Sequence, residues 1–392
     1  MSHSFIKSAM IVGVILFCVG TSIVVGMSQM FRQPEQIVPE KIREPILSQN
    51  QVISQNSSFI IGPYTQRSQK NSIIVSWETK MPTTRNEVQW GLTIDLGNIT
   101  VEKNLLARTF HTVIVEGLTA STQYYYTVVS DEIESMTFTF CTSFQKDDEI
   151  QFVVYGDSRG GWDNWMSTKI VAQAIEAVHP PFVISTGDLV DEGINPDDWV
   201  DFFAASPFTH NSTLYPVLGN HEYYARWYFT YFSLPGHERW YSFDNGPVHF
   251  IGLDSNLRNA YRLIQLVWLV HDLRTNSQPF TIVFFHHPLY SSGNHGNATL
   301  LRMIWKPIFE YFGVDIVFNG HDHDYERSVI NNITYVVTGG GGAPLYDVGH
   351  SSWTVYSEKT YHYCLLNVTS EQLTLQAIKP DGTLFDSFTI PP

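Results

Sequence analysis

The sequence predicts a protein of mixed α+β and α/β class, in which an N-terminal antiparallel β-sandwich precedes a domain of alternating strands and helices. Between residues 59 and 144, short runs alternate apolar and polar residues and are separated by turn residues, a pattern typical of a small sandwich. After the segment KDDEI at 146–150, apolar runs alternate with helical stretches. Five of these runs end in a block rich in Asp, Asn and His, which is where α/β sheets gather their ligand sites.

The bulk composition fits a folded protein with two domains. The chain has 392 residues, of which 43% are hydrophobic and 14% aromatic, enough for two separate cores. Its formal net charge is −15. We therefore expect neither nucleic acid nor an anionic membrane surface as a main partner, because both require clustered Lys and Arg.

Residues 1–27 predict a membrane anchor or a signal peptide. The apolar run from Ala9 to Met27 is long for a signal-peptide core and nearly long enough to span a bilayer. Its end, Val24-Val25-Gly26, also fits a small-residue cleavage site. We favour an uncleaved anchor over a cleaved signal, and either one places the bulk of the chain outside the cytoplasm. Residues 28–57 are rich in Gln, Pro, Glu and Ser and are expected to form a flexible stalk.

The sandwich is expected over residues 58–145. Its strands are predicted in the runs 72–79, 86–91, 111–118, 123–130 and 135–142. Trp77 is expected to fill the core of this domain, and Tyr124 to Tyr126 to form an aromatic strand. We identify no catalytic residue in it.

The second domain is expected over residues 148–392. Strands are predicted at 151–155, 182–186, 214–218, 281–285, 315–319 and 333–338, and helices at 164–178, 259–275 and 298–312. Two further β segments close the chain, with a hairpin turn at Pro380-Asp381-Gly382.

Cysteines and glycosylation signals give weaker information. Cys18 lies in the predicted anchor, which leaves Cys141 and Cys364 as the two candidates for a disulfide, and their pairing depends on geometry. Sequons that permit N-glycosylation occur at Asn56, Asn98, Asn211, Asn297, Asn332 and Asn367.

Five short blocks supply the candidate ligands of a two-metal site. In chain order they are GDSRGG at 156–161, GDLVDEG at 187–193, GNHE at 219–222, HHPLY at 286–290 and GHDHDYER at 320–327. Hard cations prefer such carboxylates, amide oxygens and imidazoles. Asp188 is the best candidate for a carboxylate that bridges two metals. The other candidates divide between the two metals, Asp157 and His323 for one and Asn220, His286 and His321 for the other.

The order of these blocks resembles the calcineurin-like metallophosphoesterases, and GHDHDYER, HHPLYSSGNH and the preceding sandwich resemble their purple acid phosphatase branch. The resemblance implies a fibronectin-III-like N-terminal domain followed by a four-layer αββα metallophosphatase sandwich. It also implies two divalent or trivalent metal ions (Fe, Zn or Mn) and hydrolysis of phosphoesters by a metal-held hydroxide that attacks phosphorus in line.

Four further residues are candidates for catalytic roles, namely His221, His295, Arg159 and Asp191. His221 and His295 are expected to face the phosphate as hydrogen-bond donors, one of them protonating the leaving group. Arg159 either binds a phosphoryl oxygen or forms a salt bridge to a neighbouring carboxylate.

Asp191 and Arg159 depart from the family pattern. Asp191 stands where the purple acid phosphatases have a metal-bound tyrosine, so their colour and iron preference do not carry over, and Arg159 stands where other metallophosphoesterases have a histidine ligand. Asp191 either binds the first metal directly or supports His221. We favour support through a hydrogen bond from His221 to the Asp191 carboxylate, which would avoid a third carboxylate on one cation.

The leading functional prediction is an extracytoplasmic phosphomonoesterase of acid phosphatase type that acts on phosphorylated small molecules or phosphoproteins. The alternative on the same site is a phosphodiesterase or nucleotide pyrophosphatase, because fold and metals do not fix the substrate. A third possibility, from another class, is a non-catalytic surface protein, which the complete set of candidate ligands disfavours.

Overall fold

The computed structural model describes residues 59–104, 106–256 and 260–392. The predicted anchor at 1–27, the predicted stalk at 28–57, Cys18 and the Asn56 sequon therefore lie outside the described residues. Among the described residues, no helix is both long enough and apolar enough to cross a membrane.

The N-terminal domain is an antiparallel β-sandwich, as predicted. Its strands are β1 (Phe59–Gln66), β2 (Ser72–Thr83), β3 (Asn86–Gly91), β4 (Asn98–Val101), β5 (Arg108–Glu116), β6 (Gln123–Ser130), β7 (Ile133–Glu134) and β8 (Phe138–Cys141). One sheet has the order β1-β2-β5, and the other has β4-β3-β6-β7 with β8 also paired to β6. The core between them contains Trp77, which is fully buried and donates a hydrogen bond from Nε1 to Ser130 Oγ at 2.8 Å.

The second domain combines thirteen strands with five α-helices in the described part of the chain. The strands are β9 (Ile150–Tyr155), β10 (Phe182–Ser185), β11 (Thr213–Pro216), β12 (Tyr241–Asn245), β13 (Val248–Gly252), β14 (Phe280–Phe284), β15 (Ile316–Asn319), β16 (Tyr325–Ile330), β17 (Ile333–Thr338), β18 (Thr354–Glu358), β19 (Tyr363–Val368), β20 (Leu373–Ile378) and β21 (Leu384–Ile390). The helices are α1 (Met166–Val178), α2 (Pro196–Ala205), α3 (Arg226–Tyr231), α4 (Ala260–Thr275) and α5 (Thr299–Phe312).

These strands form two mixed sheets that pack face to face. The six-stranded sheet has the order β11-β10-β9-β19-β20-β21, and the seven-stranded sheet has the order β12-β13-β14-β15-β17-β16-β18. Between the sheets, the ring of Phe250 lies 5.1 Å from that of Phe152 and 5.6 Å from that of Phe182. Residues of α1 and α2 join this core, while Trp305 of α5 packs with Val283 and Val317 on the other face of the larger sheet. The result is the expected layering of helices outside two sheets.

The predicted helices agree closely with α1, α4 and α5, but α2 was missed although its signals are present. Asn195 caps this helix by accepting a hydrogen bond from the Asp197 main-chain N, Pro196 occupies the first turn, and Asp197 and Asp198 face the positive end of the helix dipole. The hairpin of β12 and β13 was also missed.

Within the described part of the chain, neither cysteine candidate forms a disulfide. Cys141 in β8 and Cys364 in β19 are both free thiols. Of the described sequons, Asn98 and Asn332 are exposed, whereas Asn211, Asn297 and Asn367 are partly buried and accept hydrogen bonds within the protein.

Candidate metal centre

The site forms where the candidate blocks follow their strands. Asp157 and Asp188 come after β9 and β10 of the smaller sheet, and His286 and His321 come after β14 and β15 of the larger sheet. The main-chain N of His321 donates to both oxygens of the Asp157 carboxylate at 3.0 Å, which joins the two sheets at this edge.

Three of the candidate ligands adopt a left-handed backbone conformation. The φ angles are +57° for Asp157, +52° for Asp188 and +72° for His321. Residues other than glycine seldom adopt such angles, which cost on the order of 1–3 kcal/mol each and cluster at functional sites. The sharp turns after the strands therefore aim these side chains inward at a cost in stability.

Three side-chain atoms that can bind a metal ion converge on the Nε2 nitrogen of His286. The fully buried His286 ring donates from Nδ1 to the Thr186 carbonyl at 3.0 Å, so in the neutral form of the ring Nε2 carries the lone pair. That nitrogen lies 3.1 Å from Asn220 Oδ1, 3.1 Å from His321 Nδ1 and 3.3 Å from Asp188 Oδ2. Amide oxygen, imidazole nitrogens and a carboxylate oxygen at such distances repel one another unless a cation lies among them, so this donor set fits a metal ion.

A second group surrounds Asp157. His323 donates from Nδ1 to the Pro344 carbonyl at 2.7 Å, which leaves its Nε2 lone pair 3.6 Å from Asp157 Oδ1. Together the two groups contain all six side chains predicted as metal ligands. The ligand atoms of Asp188, His286 and His321 all lie within 4.8 Å of one another.

The surroundings of His323, His321 and Asp188 favour the forms of these side chains that bind metals. Burial lowers the pKa of His323 to about 3 and that of His321 to about 2, so both imidazoles are neutral near pH 7. Burial opposes ionisation of Asp188, but the charge of His286 and the hydrogen bond from it lower the pKa of this carboxyl below its ordinary value. Burial also lowers the affinity of His286 for a proton, yet Asp188 and Asp157 outweigh it and raise the pKa of His286 to about 9, so a metal ion at Nε2 would have to displace a proton near pH 7.

His221 is supported by Asp191, though not by the predicted atom. The His221 ring donates from Nδ1 to the Asp191 main-chain carbonyl at 2.7 Å, and its Nε2 lies 3.9 Å from Asp188 Oδ2. The Asp191 carboxylate instead accepts hydrogen bonds from Arg159 Nη1 at 2.8 Å and from the Gly161 main-chain N at 2.6 Å. The prediction that this carboxylate holds His221 is therefore wrong, because the turn directs the carbonyl toward His221 and the side chain toward Arg159.

Arg159 forms the salt bridge that was one of its two predicted roles. Its side chain is 15% exposed and lies between two carboxylates, with Nε 4.0 Å from Asp188 Oδ2. Nε is buried and has no hydrogen-bond partner among the described residues. The guanidinium therefore faces the candidate centre while Asp191 holds its other end.

His295 lies at the entrance of the site. The residue is exposed, and its ring stacks on the His321 ring with a centroid distance of 4.3 Å. Its main-chain N donates to Asp322 Oδ1 at 2.6 Å, so the buried Asp322 fixes the loop that carries it.

Two supporting residues escaped the sequence analysis. Glu222 is fully buried and accepts hydrogen bonds from the main-chain N of Gly219, Asp188 and Leu189, so it joins the GNHE and GDLVDEG loops. Its position inside the GNHE block was the available signal. Tyr346 stacks on the His323 ring at a centroid distance of 4.2 Å, and no feature of the sequence around it indicated this contact.

Comparison with known proteins agrees with this architecture. The calcineurin-like phosphoesterase family model matches residues 150–325, and the purple acid phosphatase N-terminal domain model matches residues 63–142. The chain is 26% identical over 352 residues to a phosphoenolpyruvate phosphatase of Allium cepa, covering 80% of this chain and 71% of that protein. It is 28% identical over 315 residues to a purple acid phosphatase of Glycine max, covering 70% of this chain and 67% of that protein.

A solved structure shows the same fold. The purple acid phosphatase isolated from yellow lupin (Lupinus luteus) seeds superposes with a TM-score of 0.71 at 20% sequence identity, covering 84% of this chain and 74% of that one. The two consecutive family matches span both domains, and together with these relatives they show that the chain belongs to the purple acid phosphatase branch of the calcineurin-like metallophosphoesterases and is a metal-dependent phosphoester hydrolase.

Proposed function

We propose that the protein is an extracytoplasmic phosphomonoesterase of acid phosphatase type that holds two metal ions between its two sheets. The observation that carries this proposal is the convergence of Asp188, Asn220 and His321 on the lone pair of His286, beside the pair of Asp157 and His323. His286, Asn220 and His321 would hold one ion, Asp157 and His323 the other, and Asp188 would bridge them. Two such ions supply a hydroxide near neutral pH and neutralise the phosphoryl oxygens.

Protein groups would orient the phosphate and move the proton. Because His221 already donates from Nδ1 to the Asp191 carbonyl, a hydrogen bond from its Nε2 to a phosphoryl oxygen requires the charged imidazolium form. The exposed ring of His295, next to His321, is placed to protonate the leaving-group oxygen. Arg159, held by Asp191, would offer Nε to a phosphoryl oxygen.

The substrate would be a phosphorylated small molecule or a phosphoprotein. One relative is a phosphoenolpyruvate phosphatase, which supports small phosphomonoesters as substrates of this chain. A comparison of an aryl phosphomonoester with its diester, in the presence of Mn, Fe, Zn or Mg, tests this preference and the metal identity together. We expect the monoester to be hydrolysed faster. Faster hydrolysis of the diester would instead favour the alternative, a phosphodiesterase or nucleotide pyrophosphatase.

The location outside the cytoplasm rests on the apolar segment from Ala9 to Met27 and on the sequons, two of which are exposed at Asn98 and Asn332. Digestion of intact cells with an external protease tests it. Loss of the full-length chain without cell lysis is expected, or its recovery in the medium if the segment is cleaved. Complete protection until lysis would contradict this location.

A further inference from the structure

A cavity of about 660 Å³ lies directly beside the candidate metal centre. Gly219, Asn220 and His287 form the wall next to the metal ligands, while Tyr223, Arg239 and Tyr261 belong to the residues that line the rest. The volume lies within the range of about 300–1,000 Å³ that is typical of small-molecule sites. A phosphate held at the metals would therefore have this cavity beside it for the rest of the substrate.

Arg239 is positioned by aromatic rings and not by a carboxylate. Its Cζ lies 4.9 Å from the ring centroid of Tyr224 and 5.2 Å from that of Tyr261. Within the described part of the chain, its side chain forms no hydrogen bond or ion pair; its charge acts on the Asp254 carboxylate only from beyond ion-pair distance, and Asp254 Oδ1 accepts hydrogen bonds from Asn256 and Tyr224. Contacts with aromatic rings occupy the faces of the guanidinium and leave its in-plane N–H groups for an anionic ligand.

The tyrosines beside Arg239 are held in an unusual conformation. Tyr223 and Tyr224 are consecutive residues with φ of +50° and +51°, an arrangement that costs on the order of 1–3 kcal/mol per residue. Their side chains are 57% and 38% exposed, and that of Tyr261 is 54% exposed. Exposed aromatic rings around a cavity provide surfaces on which a planar group can stack.

We propose that this cavity binds the leaving group of the substrate and selects one that combines a planar ring with a second negative charge. The tyrosine rings would contact the planar group, and the N–H groups of Arg239 would bind the anion in forked geometry. This inference rests on the proposed phosphomonoesterase activity and names the substrate class of that site. A ring-bearing carboxylate and a nucleotide with a further phosphate share this chemistry.

Kinetics of matched substrates test the role of Arg239. Phenyl phosphate and 4-carboxyphenyl phosphate differ by one distant negative charge. For Arg239→Met, we expect KM for 4-carboxyphenyl phosphate to rise about tenfold or more, since hydrogen bonds to charged groups are strong, while the constants for phenyl phosphate stay within about twofold. Arg302→Met is the matched control, because Arg302 also lies over aromatic rings, 5.0 Å from Tyr290, but does not line the cavity. It should leave both substrates unaffected.

A further variant and further substrates separate the contribution of the ring from that of the charge, and distinguish a carboxylate from a phosphate as the anion. Tyr261→Ala should raise KM for both aryl substrates alike. ADP and AMP have leaving groups that differ by one phosphate. The effect of Arg239→Met on KM for each of them shows whether Arg239 binds a phosphate as well as a carboxylate. Equal effects of Arg239→Met on charged and uncharged leaving groups, or no effect on either pair, would overturn the inference. Failure of the wild-type protein to hydrolyse any of these compounds would refute the proposed function itself.

Discussion

The N-terminal sandwich and the metal centre each bury a histidine among charged or polar partners, but the partners differ in kind. In the sandwich, the buried His111 lies 3.1 Å from Glu102 Oε2 and 3.0 Å from Thr83 Oγ1. Glu102 also pairs with Arg108 and accepts a hydrogen bond from the Thr112 main-chain N at 3.1 Å. Acceptors there face donors, so both carboxylate oxygens of Glu102 are paired within the protein.

At the metal centre, His286 is equally buried, but its Nε2 faces two oxygen acceptors and a ring nitrogen of His321 at once. A buried charged cluster therefore indicates a site for a bound ion only when its hydrogen-bond acceptors outnumber its donors. Otherwise it is a stabilising network, which is costly to break but carries no chemistry.

The largest effect is expected at the bridging position. Asp188→Ala should abolish hydrolysis and metal loading together, because one carboxylate is expected to hold both ions. Turnover of an aryl phosphate and the bound metal measured by mass spectrometry give the two readouts. His111→Gln, the matched change in the sandwich, should lower the melting temperature by several degrees and leave metal content and turnover intact. An Asp188→Ala protein with two bound metals and near-normal turnover would remove the bridging role.

A substitution that adds a single methyl group should also disable the centre. A Cβ at Gly219 would lie 2.0 Å from Asp188 Oδ1 and 2.5 Å from the Asp188 main-chain N, so Gly219→Ala must displace Asp188. We expect activity to fall about 100-fold, since displacements of about 1 Å at a catalytic centre have effects of that size. Gly236→Ala is the control, because φ is +69° there but no atom lies within 4 Å. It should cost about 1–2 kcal/mol of stability without loss of turnover. Equal activities of the two variants would contradict the close approach.

A smaller effect is expected when the carboxylate behind the centre is changed. Glu222→Gln would point an amide N–H₂ at main-chain N–H groups that now donate to Glu222, including that of Asp188. We expect metal affinity to fall about 10- to 100-fold with the fold retained, as is usual for residues that orient metal ligands. Competition with a chelator measures this affinity. An unchanged affinity would show that the two loops hold their positions without Glu222.

The smallest effect is expected at a histidine outside the centre. His249 lies 2.6 Å from Asp244 Oδ1 and 2.8 Å from Asp272 Oδ2. Burial opposes its charge, but these carboxylates raise its pKa from 6.5 to about 9. Since the folded state binds this proton more tightly, the stabilisation is complete below pH 6.5 and is lost as the pH rises through 9.

His249→Gln should therefore destabilise the protein by about 1–2 kcal/mol at pH 6, a value reduced for the exposure of Asp244, and by less at pH 9.5. Urea unfolding of both proteins across this range measures the difference. A difference that does not change with pH would show that the histidine is neutral in the folded state.

The sequence predicted the elements whose signals are local. Alternating runs identified most of the sandwich strands, and apolar periodicity located α1, α4 and α5. Helix α2 was missed because its capping residues, from Asn195 to Asp198, lie in a short polar segment that reads as a loop. The hairpin of β12 and β13 lacks a strict alternation, since β13 is buried along its whole length.

The ligand types and their places after strands were predictable at the centre, because a strand end followed by Asp or His is a local pattern. The supporting contacts were not predictable. Whether Asp191 supports His221 with its carboxylate or its main-chain carbonyl depends on the turn, and the stacking of Tyr346 on His323 joins segments that pack only in the folded protein. The cavity at Arg239 likewise brings together segments that are far apart in the sequence, from Gly219 to His287.

Counting the metal ions bound per chain tests the central claim most directly. We expect the active wild-type protein to hold two ions, and His323→Ala, which removes a ligand of one site only, to hold about one and to lose nearly all activity, because both ions are needed for the reaction. A wild-type protein that is fully active with a single ion, or a His323→Ala variant that keeps two, would contradict a centre shared between the two groups of ligands.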